Sequence, residues 1–150
     1  MRVYVSGPMT GRPGYNYPAF DAAEGRLVAQ GHFVVNPACI SVQFGNTDVV
    51  AHSFGVLYSI EDKTKDGGRI DDYAFGKELK ERARLAQAII DADLAAVRSC
   101  DAIYLLRGWE TSRGAKKELA EAIAHGLTIM LEEPKAPKEE EPMGKEGGAA

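Results

Sequence analysis

The stretch VYVSGPMTGRPGYNYPAF, residues 3–20, decides how this chain is read. It opens on Val3, Tyr4 and Val5, β-formers apolar enough for a buried strand. It then runs into glycine and proline, which end a strand and set turns. Pro18 suits the first position of a helix. The stretch therefore reads as a strand over 2–6, a loop over 7–17 and a helix from 18 to about 30. Phe20, Ala23, Leu27 and Val28 are expected on the inward face of that helix, with Gly31 as its stop. A loop of this composition after a first strand is either a plain turn or a ligand cradle.

Outward from there, residues 32–36 read as a second strand closed by Pro37. Residues 38–72 mix apolar and turn residues and read as a long, partly helical insertion ending in a mobile polar loop. A helix is expected from about Tyr73 to Ser99, a strand over 102–106, and a loop RGWETSRG over 107–114. A last helix from about Ala115 to His125 and a strand ending near Glu132 follow. Strands alternating with helices predict a parallel sheet with helices on both faces. Ligands of such sheets sit at the carboxyl ends of the strands, where the loops after residues 6 and 106 lie.

The chain has 150 residues, of which 45% are hydrophobic and 27% charged, as expected for one globular domain. That domain is placed at residues 1–132. Residues 133–150 carry almost no apolar side chain and read as a disordered acidic tail. A net charge of −4 argues against a nucleic-acid-coating role and leaves room for a small anionic ligand. Cys39 and Cys100 show no paired spacing and read as reduced thiols. The amino terminus reads as a strand rather than a signal peptide, and no apolar run is long enough to span a membrane. The expected compartment is the cytoplasm. No His/Cys/Asp cluster has metal-ligand spacing, so neither metal nor cofactor is expected.

The first loop lacks the closing GK[ST] of a Walker A motif, and Gly7, Gly11 and Gly14 lack dinucleotide-fingerprint spacing. Its glycines still permit close backbone approach, and Ser6, Thr10 and Arg12 add hydroxyl donors and a cationic fork. In the second loop Ser112 and Gly114 precede a helix, a place for a cap and for an anion. Glu118 lies one turn into that helix, beside a stripe read from Leu119, Ala122 and Ile123; Glu121 is its rival. Asp93 sits among Ile89, Ile90, Leu94 and Val97, with Asp91 and Asp101 as competitors. A carboxyl among apolar groups has its proton affinity raised, which suits a general acid. Two carboxylates from different elements at a strand-end cleft is the layout of glycosidic-bond chemistry.

YVSGP after the first strand, DLAAVRSCDAIYLL, and SRGAKKELAEAIAHG together resemble the nucleoside 2-deoxyribosyltransferase superfamily, which includes the deoxynucleoside 5′-monophosphate N-glycosidases. SGPMTGRPGYNYPAF, with NPA after the second strand, looks most like an uncharacterised branch common in phage genomes. The resemblance covers roughly residues 1–37 and 92–131. It implies a Rossmann-like three-layer sandwich with a mostly parallel sheet of about four to five strands. It implies Glu118 as nucleophile, through the spacing Ser112, Gly114, Glu118. It implies Asp93 as acid, in a D-L-x-x-[IV]-x-x-x-D pattern that ends at Asp101, and Tyr4 as the residue orienting the nucleophile. Ser112 falls on a phosphate-contacting serine, and the loop Ser6, Gly7, Thr10, Gly11, Arg12 on a phosphate-holding loop. Tyr15, Tyr17 or Phe20 is expected to stack on the base.

Ala115, Lys116 and Lys117 replace the small residues usual in that family before the nucleophile, and residues 38–72 exceed its compact members. The implied activity is cleavage of the N-glycosidic bond of a 2′-deoxynucleoside 5′-monophosphate through a Glu-linked intermediate. Transfer of deoxyribose between bases is the near alternative, and an inactive nucleotide-binding sensor a further one. The implied partners are a nucleotide or nucleoside and further copies of the chain, as a homodimer or higher homo-oligomer. The apolar residues among 49–57 are expected to supply that interface.

Overall fold

The computed structural model describes residues 1–64 and 76–133. Four strands, β1 (Arg2–Ser6), β2 (Phe33–Val35), β3 (Ala102–Leu105) and β4 (Thr128–Leu131), form one sheet in the order β2-β1-β3-β4. Every pairing is parallel. Among the described residues five helices accompany them: α1 (Tyr17–Ala29), α2 (Pro37–Ser41), α3 (Thr47–Lys63), α4 (Lys77–Arg98) and α5 (Arg113–Ala124). Short 3-10 turns, Pro13–Asn16 and Trp109–Thr111, lead into α1 and α5.

Alternation along β1 sets the layers. Val3 and Val5 face Phe20, Ala23 and Leu27 of α1, whereas Tyr4 faces Val97 of α4 and Ala122 of α5. Helices thus cover both faces of the sheet in a Rossmann-like α/β sandwich. Side chains such as Phe20 and Leu27, nearly all their surface removed from water, each contribute roughly 1.5–3 kcal/mol to that packing. The chain leaves β1 toward β2, then crosses to β3 on the other side. The crevice between the carboxyl ends of β1 and β3 is therefore the switch point where a ligand of such a sheet is expected.

The described part of residues 38–72, residues 38–64, is partly helical as expected. It holds most of α2 and all of α3, and α3 packs along α4 through Val50, Phe54, Leu57 and Ile60 against Ala83, Ala86, Ile89 and Ile90. Val50, Phe54 and Leu57 are thereby spent on the core of the chain itself and do not form the expected intersubunit surface. Two inward assignments also fail: Val28 is 54% exposed and Ile123 64% exposed. Each follows a buried residue, Leu27 or Ala122, and the 100° step between helical neighbours carries it out of the stripe. Of the expected polar loop over 61–72, residues 61–63 belong to α3, and its remainder over 65–72, the helix start at Tyr73 and the tail from 134 on lie outside the described residues. Cys39 is exposed, Cys100 is buried, and both are free thiols. Among the described residues no helix is long and apolar enough to cross a membrane.

Candidate active site

Tyr4 and Ser6 share a face of β1 because they are two residues apart. Both reach the same carboxylate. The Tyr4 hydroxyl donates to Oε2 of Glu118 at 2.8 Å, and the Ser6 hydroxyl to Oε1 at 2.6 Å. Glu118 arrives there because Ala115 and Ala122, both buried, let α5 close on the sheet with small side chains. Ser112 starts that helix, its Oγ accepting the Ala115 N–H at 3.1 Å. The helix thus begins at Arg113 rather than near Ala115.

Burial pushes the Glu118 carboxyl up to about 7, and the two hydroxyl donors oppose that rise by stabilising its anion. Tyr4 is itself wholly buried, and burial followed by the charge of Glu118 raises its phenol well above the ordinary value. It therefore acts as a fixed hydrogen-bond donor.

Asp93 comes from α4, on the face that buries Ile89, Ile90 and Val97. It is only 9% exposed, and its Oδ1 is buried with no hydrogen-bond partner. Burial, and then the negative charge of Glu118, push Asp93 up to about 9. The two carboxyls therefore titrate as a pair. Glu118 has two donors and Asp93 has an orphaned oxygen, so the proton shared at neutral pH resides on Asp93. The rival carboxylates have other duties. Glu121 pairs with Arg98 at 2.9 Å, Asp91 accepts from Gln87 at 3.0 Å, and Asp101 accepts the Arg2 backbone N–H at 2.8 Å.

Asp93 and Glu118 both line a cleft with about 560 Å³ of open space, its mouth included. Its walls near Asp93 are Tyr15, Phe20, Phe54, Ile90 and Leu94; its other end holds Thr10, Ser112, Gly114 and Lys117. A second, outer chamber with about 540 Å³ of open space adjoins it through Met9, Thr10, Tyr58 and Ser112, and adds Arg12, Thr111 and Arg113.

Not every expected binding residue faces this space. The hydroxyl of Ser6 is committed to Glu118 rather than to the open cleft. Gly7 lines the cleft, but a Cβ there would stand 2.7 Å from Leu106 Cβ, so its glycine serves packing on the end of β3. Gly11, at φ 78°, and Tyr17 line neither chamber. Tyr15 is buried in the cleft wall at φ 55°, its ring edge-on to Tyr17 with centroids 5.7 Å apart.

Several cleft residues lie where the sequence reading placed an insertion. Phe54 and Tyr58 stand one turn apart on α3, with ring centroids separated by 5.7 Å. The i, i+4 aromatic pair in FGVLY is the signal that marks them. Arg113 stacks on the Tyr58 ring at 4.9 Å and donates from Nη2 to both oxygens of Asp62, at 2.8 and 2.9 Å. Lys117 reaches Glu61 at 3.4 Å. Among the described residues no group of His, Cys, Asp and Glu is arranged to hold a metal ion.

No curated protein matches the chain. The family described as a domain of unknown function, DUF4406, matches it at residues 1–63 and again at residues 58–131. The two matches together take in the whole sheet and both carboxyls of the cleft, and the chain belongs to the DUF4406 family.

Proposed function

We propose that this protein cleaves the N-glycosidic bond of a 2′-deoxynucleoside 5′-monophosphate. The observation that carries the reading is the division of labour between the two carboxyls. One is biased toward its anion by two hydroxyl donors, the other is kept protonated by burial, and both face one cleft. Pairs of carboxyls pushed apart in this way serve as nucleophile and acid in glycosidic chemistry. The resemblance to the nucleoside 2-deoxyribosyltransferase superfamily supports the same roles.

The base lies toward Tyr15 and Phe54, whose rings offer it a stacking surface. The sugar lies over Glu118. The phosphate lies toward Thr10, Ser112 and the amino end of α5, where unpaired N–H groups favour an anion. A Glu118 oxygen attacks C1′ as the C1′–N bond breaks. The bonding electrons leave with the base, which takes the proton from Asp93. The resulting ester is opened at C1′ by water, whose proton passes to the Asp93 carboxylate, and Glu118 is regenerated as the anion. A second base in place of water gives sugar transfer by the same steps.

Incubation with deoxynucleoside 5′-monophosphates and nucleosides, followed by chromatography, tests the proposal. Free base is expected from the wild type and none from Glu118→Ala. A nucleotide-dependent rise in melting temperature without free base from any substrate would overturn catalysis in favour of a binding module.

A further inference from the structure

We propose that the outer chamber binds a second phosphate, so that the ligand class extends to nucleoside 5′-diphosphates. The inference rests on reading the inner cleft as a nucleotide site, and its test separates the two.

The chambers differ in chemistry. Around Asp93 the inner walls are largely aromatic and aliphatic, whereas beyond Ser112 the lining turns to Arg12, Thr111 and Arg113. Thr10 and Ser112 border both, so a phosphate seated there has open space on its far side rather than a wall. That outer chamber, its mouth included, holds about 540 Å³ of open space.

Arg12 has a built seat in this chamber. It comes from the loop after β1 and lies over Gly108 in the turn after β3. A Cβ on Gly108 would stand 2.8 Å from Arg12 Nη2 and 3.4 Å from Pro8 Cγ. Gly108 also has φ 86°, a conformation that glycine adopts without steric cost. Only a residue without a side chain leaves the guanidinium where it is. Among the described residues Arg12 enters no ion pair, so its charge is uncompensated.

Arg113 is held differently, by Asp62, Glu61 and the Tyr58 ring. It supplies guanidinium donors fixed to the chamber wall, with its charge already offset by those two carboxylates. A terminal phosphate carries up to two negative charges and several acceptor oxygens, which suits guanidinium forks.

Inorganic pyrophosphate and inorganic phosphate are the probes, compared by calorimetry at constant ionic strength. Pyrophosphate is expected to bind at least roughly tenfold more tightly than phosphate. Arg12→Ala, an exposed position where truncation leaves the core intact, should remove that difference by weakening pyrophosphate far more than phosphate. Gly108→Ala, which displaces the guanidinium, should do the same. Equal affinity for the two anions, or a pyrophosphate preference that survives Arg12→Ala, would overturn the proposal. Base release from monophosphates tests the inner cleft independently, so either reading can fail while the other stands.

Discussion

The phenol of Tyr4, on the first strand, donates to Oε2 of Glu118 across 114 residues of chain at 2.8 Å. This bond joins the centre of the sheet to the helix that carries the proposed nucleophile. It does two things at once: it fixes the carboxylate rotamer and favours its charged form. Tyr4→Phe removes the donor and leaves the ring. A hydrogen bond to a charged group is worth about 1.5–3 kcal/mol, so kcat/KM should fall roughly 10- to 100-fold. The acidic limb of the pH profile should also move to higher pH, because Glu118 loses a group that holds its proton affinity down. Ser6→Ala should act in the same direction. A pH–rate profile checks this; an acidic limb that stays in place would show that Tyr4 does not tune Glu118.

The proposed chemistry needs Glu118 ionised and Asp93 protonated. The first condition is met as pH rises through about 7 and the second is lost as it passes about 9. A bell-shaped kcat/KM with its maximum on the mildly alkaline side is expected, with limbs belonging to the pair. Glu118→Gln should flatten the whole profile. Activity that keeps rising beyond pH 10 would remove Asp93 from the role of acid.

The same raised affinity carries a cost in stability. Asp93 has a higher pKa folded than unfolded, so the folded chain binds its proton more tightly. That contribution is complete below about pH 4 and is lost progressively as pH rises toward 9. Asp93→Asn carries no charge to bury. It should match the wild type near pH 4 and exceed it increasingly above, by roughly 1–3 kcal/mol near pH 9. Thermal melts across that range measure it; a variant less stable at pH 9 than at pH 4, relative to wild type, would contradict the burial argument.

How far the residues announce all this depends on how local the information is. β1 is legible because Val3, Tyr4 and Val5 run together before Gly7 stops them. Asp93 stands out because Ile89, Ile90 and Val97 surround it on one helical face. The choice between Glu118 and Glu121 is not local. They lie within one turn of each other, and only contacts from other elements separate them: Tyr4 and Ser6 for one, Arg98 for the other. α3 was obscured by polar residues inside its pattern. Ser53 is fully buried, yet its hydroxyl is satisfied by the Val49 carbonyl at 2.7 Å, so a core position carries a polar letter. Without bounds or an inward face for α3, Phe54 and Tyr58 have no place in the site.

Gly7 gives a structural test apart from catalysis. An alanine Cβ at that position meets Leu106 at 2.7 Å, and Leu106 is buried beneath the loop. Gly7→Ala should cost about 1–3 kcal/mol of stability, from overpacking where neither backbone has room to give. Urea denaturation reads this directly. Unchanged stability would mean that the loop after β1 shifts freely, and with it Thr10 and Arg12.

The most direct test of the central claim is the mass of the protein itself during turnover. Rapid acid quenching of the wild type with a deoxynucleoside 5′-monophosphate, followed by intact mass and peptide mapping, should reveal a deoxyribose phosphate ester on Glu118. Asp93→Asn should lack it with natural substrates, because the base leaves poorly without its proton. Base release without any adduct on Glu118, or an adduct on a different side chain, would contradict the account.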